Sequence, residues 1–307
     1  MKMNELEIIQ HQQIEGLSLF LNTVDYRTPH LHSEWELIWV LENPLSVTCG
    51  QNHYLVEPGQ MILFNPNEPH EFRKTMVSCT FACMQISPQI FPISTRLYVD
   101  AHFPNGYLSF EEMGVLKKQF LELMRVFLRQ EEQYALFCVG QCCMMFHLLF
   151  SRMPNHELTA EQAAGMDKRN ARVKRLIQFV DENYMYKIRL SDFAESEGCS
   201  MSYLSHFIKD TMNQTFQEYV ASVRLGCACK LIAAGDKRML DVCMESGFSD
   251  YRYFSKAFRK QYGMPPEGYS RCKAEQRGAM AVRRSSHSEE RFYSKEESLM
   301  LLEKLIK

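Results

Sequence analysis

Between Leu190 and Tyr269 the chain writes one pattern twice, and few folds accept such a repeat. The first copy is Phe193-Ala194-Glu195-Ser196-Glu197-Gly198-Cys199-Ser200, followed by Tyr203-Leu204-Ser205 and Phe207-Ile208-Lys209. The second is Val242-Cys243-Met244-Glu245-Ser246-Gly247-Phe248-Ser249, followed by Tyr253-Phe254-Ser255 and Phe258-Arg259-Lys260. Gly198 and Gly247 lie 49 positions apart and Tyr203 and Tyr253 lie 50, so copy two carries one extra residue after its glycine. Each copy reads as a short apolar helix, a glycine turn, a serine cap and a second amphipathic helix, which is the sequence form of a helix-turn-helix.

Helical spacing assigns faces. In copy one, Leu204, Phe207 and Ile208 fall on an inward face, leaving Ser202, Ser205, His206 and Lys209 outward. In copy two, Phe254 and Phe258, with Tyr253 beside them, are expected inward, and Tyr251, Arg252, Ser255, Lys256, Arg259 and Lys260 outward. These outward groups suit base edges and phosphates of double-stranded DNA. Arg252 and Lys256, one turn apart, are the expected base readers, and Lys209 and Lys260 the expected phosphate contacts. A single copy would fit any helical domain with a solvated face; two copies joined by a long helix point to DNA.

Residues from about 171 to 273 resemble the DNA-binding domain of AraC-type (AraC/XylS) transcriptional regulators. Glu245-Ser246-Gly247-Phe248-Ser249-Asp250, Tyr253-Phe254-Ser255, Phe258-Arg259-Lys260, Tyr262-Gly263 and Pro265-Pro266-Glu267 carry the likeness. Two positions depart from it: Asn213 stands where the family usually has Gly, and His206 where a basic residue is common. Between the motifs, 216–234 reads as one helix, opened by a Thr215/Glu218 capping box and ended by Gly235. In the family this helix sets the two reading helices in successive major grooves; Arg224 on it is expected to face the scaffold or a phosphate.

Charge is split along the chain. Residues 1–166 hold 10 Lys and Arg against 18 Asp and Glu, whereas 167–275 hold 18 against 14, so an acidic front precedes a basic back. That division fits a sensor joined to a nucleic-acid reader. The eleven cysteines follow no metal or disulfide spacing and read as small buried hydrophobes kept reduced. No apolar run of membrane length and no leader is read, so no membrane partner and a cytoplasmic location are expected.

Up to about residue 100, short apolar runs alternate with turn signals, as in a small barrel or jelly roll. Leu37–Leu41, Leu45–Cys49, His53–Val56, Gln60–Phe64 and Val77–Gln85 are expected strands, with turns at Gly50-Gln51-Asn52 and Pro58-Gly59. The order resembles the cupin-like sensor domain of sugar-responsive AraC-type regulators, on His32-Ser33-Glu34-Trp35-Glu36-Leu37, Pro58-Gly59, Asn65-Pro66 and Pro69-His70. His30, His32, Glu36 and His70 also match the ligand pattern of metal cupins, and on strands His30 and His32 would share a face. The resemblance favours a metal-free, effector-lining role for these four, with no catalytic residue and no cofactor.

Two helical patterns follow at 110–129 and 132–152. Their expected stripes are Val115, Leu116, Phe120, Leu123, Met124 and Phe127, then Leu136, Val139, Cys143, Phe146, Leu149 and Phe150. Stretch 275–290, polar and rich in Ser and Arg, is expected to lack order, and 297–307 to form one short helix. The expected class is α+β: a cupin-like β-barrel or jelly roll with two helices, then an all-α domain with two helix-turn-helix motifs joined by a long helix. The expected division is 1–107 sensor, 108–152 helical pair, 153–167 linker, 168–274 DNA-binding domain and 275–307 tail. The resemblance implies a transcriptional activator whose partners are promoter or operator DNA, a small-molecule effector such as a sugar, RNA polymerase, and a second copy through 108–152. The alternative is a metal-dependent cupin enzyme fused to a DNA-binding domain.

Overall fold

A computed structural model describes residues 14–91, 101–104, 106–109, 113–235, 237–276 and 289–306. The front half is an antiparallel sheet curled into a nearly closed barrel. Its strands are β1 (Leu17–His30), β2 (Trp35–Glu42), β3 (Leu45–Cys49), β4 (Asn52–Val56), β5 (Met61–Phe64), β6 (His70–Lys74) and β7 (Cys79–Ile86). After a 3-10 turn at Pro88–Ile90 come β8 (Ala101–His102) and β9 (Tyr107–Leu108), and the sheet order is β4-β3-β6-β1-β7-β2-β5-β9. The five expected strands lie within β2, β3, β4, β5 and β7 to within a few residues. Alternation decides which side each residue faces. Val47, Val56, Phe72, Phe64, Phe81 and Ile38 fill one apolar cluster, and Trp35, Leu37, Leu63 and Met84 face the other.

That second cluster receives α1 (Met113–Arg129) and α2 (Tyr134–Arg152). In α1 the buried set is Leu116, Phe120, Leu123, Met124, Phe127 and Leu128, while Val115 is exposed. In α2 the expected face is corrected. Cys138, Cys142, Met145, Phe146 and Leu149 are buried, and Leu136 is 74% exposed. The reason is composition: α2 is apolar nearly all round, so periodicity alone selects no side. By length and composition α2 could cross a membrane, with a mean hydropathy of 1.5, contrary to the expected absence of such a run. Its buried side packs on the barrel, with Phe146 against Trp35 at 5.0 Å between ring centroids.

The stretch expected as linker is partly regular. β10 (His156–Glu157) pairs with β8, and α3 (Ala160–Asn183) begins well before residue 168. A capping box between Thr159 and Gln162 starts it, satisfying end amides that a loop would leave open.

The helical half continues with α4 (Leu190–Glu197), α5 (Met201–Met212), α6 (Phe216–Ala234), α7 (Met239–Glu245), α8 (Tyr251–Tyr262) and α9 (Pro266–Gln276). It holds two cores. Val173, Leu176, Ile177, Val180, Phe193, Leu204 and Ile208 surround the front of α6. Ala228, Ile232, Val242, Phe248, Phe254 and Phe258 surround its back. Thus α6 is a shared spine, polar on almost no side, as a helix between two cores must be.

The chain then returns to the barrel. β11 (Glu289–Phe292) pairs antiparallel with β1, Asn22 opposite Phe292, and α10 (Lys295–Ile306) sets Leu302 into the barrel–helix core. Of the stretch 275–290, Glu275 and Gln276 close α9, Glu289 and Glu290 open β11, and 277–288 lie outside the described residues. Glu290 is fully buried and bonds both Arg27 Nη1 at 3.0 Å and Asn22 Nδ2 at 2.9 Å.

Candidate functional site: reading helices and a histidine cluster

The glycine turns deliver α5 and α8 as paired second helices. Ser200 caps α5, its Oγ accepting from Tyr203 N at 3.2 Å. In copy two the cap is Asp250, whose Oδ1 accepts from Tyr253 N at 2.7 Å, so the expected serine cap is corrected there. The extra residue after Gly247 shifts the helix start by one, and Asp replaces Ser in the same role. Asn213 ends α5 in the left-handed conformation (φ 52°) that Gly would supply.

Ser202, Ser205, His206 and Lys209 are all exposed on α5, and Arg252, Lys256, Arg259 and Lys260 on α8. Three expected assignments shift. Tyr251 is half-buried and its hydroxyl bonds the Glu267 carboxylate, which turns it toward α9. Ser255 is half-buried too, whereas Lys260 stays exposed as expected and pairs with Glu218 Oε1 at 3.2 Å. Tyr253, expected inward, is instead exposed, as is its counterpart Tyr203 at the same third helical position of copy one. The sequence reading placed Tyr253 inward and gave Tyr203 no face, although their matching place in the two copies was an available signal. Tyr203 is held by Arg172, whose Nη1 donates to its hydroxyl at 2.7 Å. Arg172 and Arg175 share the Glu197 carboxylate, which they hold below the usual carboxylate range. Arg224 faces the scaffold, with Nε and Nη2 donating to the Tyr184 and Tyr186 carbonyls, each at 2.8 Å.

The second constellation lies inside the barrel. The possible ligand atoms of His30, His32, Glu36 and His70 all lie within 4.8 Å of one another, and all four residues are buried. His30 and His32 do not share a strand face as expected: β1 ends at His30, and His32 lies in the turn beyond it. The chain nevertheless brings both rings to His70, with centroids 4.2 and 5.4 Å away. Each ring's Nδ1 meets a carbonyl: His30 with Thr28 at 3.0 Å, His32 with Glu34 at 3.1 Å, His70 with Glu68 at 2.8 Å. A carbonyl only accepts, so all three Nδ1 atoms carry hydrogen. Glu36 Oε1 accepts from Cys83 Sγ at 3.0 Å and Gln85 Nε2 at 3.1 Å, which turns Oε2 to the rings. Burial, with the Arg27 charge beside it, holds the His30 ring well below its ordinary pKa. Burial alone would raise the Glu36 carboxyl, but its contacts with His32 and His70 hold it well below the usual range.

Next to this cluster is a cavity of about 870 Å³. Ser33, Glu34, Asn65 and Asn67 at the barrel mouth wall one side, and Ala163, Met166, Asp167 and Asn170 of α3 wall the other. None of the described residues lining it is a lysine or arginine.

Family comparisons agree with both halves. The AraC-like ligand binding domain matches residues 13–139, and a helix-turn-helix domain matches 193–271. The chain belongs to the AraC family of transcriptional regulators. The regulator is 22% identical over 273 residues to the melibiose operon regulatory protein of Escherichia coli (strain K12), covering 83% of this chain and 89% of that protein. It is 21% identical over 246 residues to the transcriptional activator RhaS of Enterobacter sp. (strain 638), covering 78% and 86%. Among solved structures, ToxT from Vibrio cholerae O395 aligns with a TM-score of 0.42 at 12% identity, covering 83% of this chain and 97% of that one.

Proposed function

We propose that this DNA-binding regulator is a transcriptional activator, not an enzyme, and that its effector is a neutral carbohydrate held in the cavity between barrel mouth and α3. The observation that carries the reading is the double wall of that cavity: one side is sensor barrel, the other the first helix of the DNA-binding half. A ligand touching both biases their relative arrangement by its differential contacts. The described lining is amide-, hydroxyl- and carboxylate-rich, suited to hydroxyl groups and unsuited to phosphate. Names of two relatives, a melibiose operon regulator and RhaS, an activator, point the same way.

A contact at the far end of the barrel links the sensor to the first reading helix. Gln51 Nε2 donates to Lys209 O at 2.8 Å, and His53 meets Asn213 at 2.6 Å, so the β3–β4 hairpin grips the end of α5. An effector that shifts the barrel on α3 therefore changes the freedom of α5. Footprinting of a regulated promoter with neutral sugars and with their phosphates tests this. Stronger or extended protection with one neutral sugar is expected; a response confined to phosphorylated or carboxylate ligands contradicts it.

In the same reading, RNA polymerase is the partner that activation requires, and α2 supplies a dimer contact. Leu136, Gly140 and Met144 recur every four residues on its exposed side, beside Phe137. Leu136→Glu is expected to raise the dimer dissociation constant by about tenfold or more in sedimentation equilibrium, with the fold unchanged. An unchanged dimer would move the interface elsewhere.

Arg252 and Lys256 are the proposed base readers. Arg252→Ala is expected to cost ~1–3 kcal/mol of operator affinity and to relax preference at one base pair. Binding to matched and single-mismatch sites measures it. A uniform loss on every site would make Arg252 a phosphate contact.

A further inference from the structure

We propose that His30, His32 and His70, through their Nε2 atoms, and Glu36, through Oε2, bind one first-row divalent cation inside the sensor barrel. The donor arrangement carries this. With hydrogen on every Nδ1, each neutral ring presents a lone pair at Nε2. The His30 and His70 lone pairs meet no donor among the described residues. His70 Nε2 lies 2.8 Å and His32 Nε2 3.3 Å from Glu36 Oε2, and that oxygen belongs to a carboxylate. His30 Nε2 is buried without a hydrogen-bond partner. A metal-free, uncharged arrangement would thus set acceptor against acceptor in a site removed from water, which is costly. A positive centre among the four atoms turns each of these contacts from repulsive to attractive.

A metal ion fits that centre better than a proton. One proton joins one nitrogen to Oε2 and still leaves His30 Nε2 buried without a partner, whereas a cation takes all four atoms together. The spread of 4.8 Å at most matches ligands around one ion at about 2.0–2.2 Å each, after small side-chain adjustments. The outer contacts are also those of a metal site. Every ring is oriented by a carbonyl on Nδ1, and the carboxylate is oriented by Cys83 and Gln85. Three imidazoles and one carboxylate select Zn(II), Mn(II) or Fe(II) over Mg(II) or Ca(II), which prefer all-oxygen shells. Bound there, the ion would tie the end of β1 to β6 and fix the turn whose Ser33 and Glu34 wall the cavity.

The test uses the full-length regulator, stripped with chelator and titrated with Zn(II) and with Co(II), without sugar or DNA. Expected are one equivalent of bound metal by elemental analysis, visible d–d bands with Co(II), and a raised thermal midpoint on loading. His30→Ala, which removes a ring whose Nε2 has no partner, is expected to keep the fold by circular dichroism. Its metal affinity should fall beyond the ~10–100-fold typical of losing an outer contact. His70→Ala should do the same, and His147→Ala, on the exposed side of α2, should retain one equivalent. Folded wild-type protein that takes up no stoichiometric metal overturns the proposal. So does uptake that survives in His30→Ala and His70→Ala but is lost in His147→Ala. Metal binding with no response to any sugar would leave the site standing and remove only the effector reading.

Discussion

Gly247→Ala is expected to destabilise the helical half by roughly 3–5 kcal/mol and to abolish operator binding. Gly247 sits at φ +89°, where an alanine is strained whatever the space around it. Space is lacking as well. A Cβ there would stand 2.6 Å from Tyr184 O, 3.1 Å from Met185 Cα and 3.2 Å from Arg224 Nε. Two of those atoms form the Arg224–Tyr184 hydrogen bond, which joins the end of α3 to the spine helix α6. The methyl group therefore strikes backbone on one side and a scaffold bond on the other, and neither is the free end of a flexible chain. The turn that sets α8 beside α7 would open, taking Phe248 from its core. Denaturant unfolding of the helical half, followed by far-ultraviolet circular dichroism, measures the cost. A change under about 1 kcal/mol would show that the turn relaxes without the close approach.

The second large effect concerns the returning tail. Glu290→Ala is expected to cost about 3–5 kcal/mol in the barrel, because it removes one partner of a buried ion pair. The Glu290 carboxylate is fully buried, the Arg27 side chain is 6% exposed, and Asn22 uses the same oxygen. Glu290→Gln keeps a hydrogen-bonding carbonyl and is expected to recover part of the loss. With the pair broken, β11 should leave β1, and α10, which buries Leu302 against the barrel helices, should follow. A lowered thermal midpoint and faster proteolysis within β11 and α10 are the readouts. An unchanged midpoint would mean that the tail adds nothing to barrel stability.

How much of this the sequence disclosed depends on the distance between interacting residues. The helix-turn-helix pairs were legible because their turns, caps and core stripes lie within about thirty residues of one another. Five barrel strands were legible from short apolar runs and alternation, as in Leu45-Ser46-Val47-Thr48-Cys49, buried at every second residue, whereas the long β1 (Leu17–His30) and β6 (His70–Lys74) were not expected. The tail was not, because Arg27 and Glu290 are 263 residues apart and a buried glutamate in a polar stretch looks like any solvated one. The face of α2 was misread for the opposite reason: with apolar residues all round, the barrel selects the side. The four cluster residues were legible as a set, but not the carbonyl contacts that fix their rings, since backbone geometry leaves no mark on residue identity. Tyr253 was placed inward because an aromatic beside a core phenylalanine reads as core.

The most direct measurement of the central claim, that two matched helices read DNA from one face, is site selection from random duplexes by the full-length regulator, followed by hydroxyl-radical footprinting. The expected result is two protected major-groove segments about one helical turn (~34 Å) apart on one face, with preference at one segment relaxed by Arg252→Ala. Selection of no sequence, protection of a single groove segment, or unchanged preference in Arg252→Ala would contradict it.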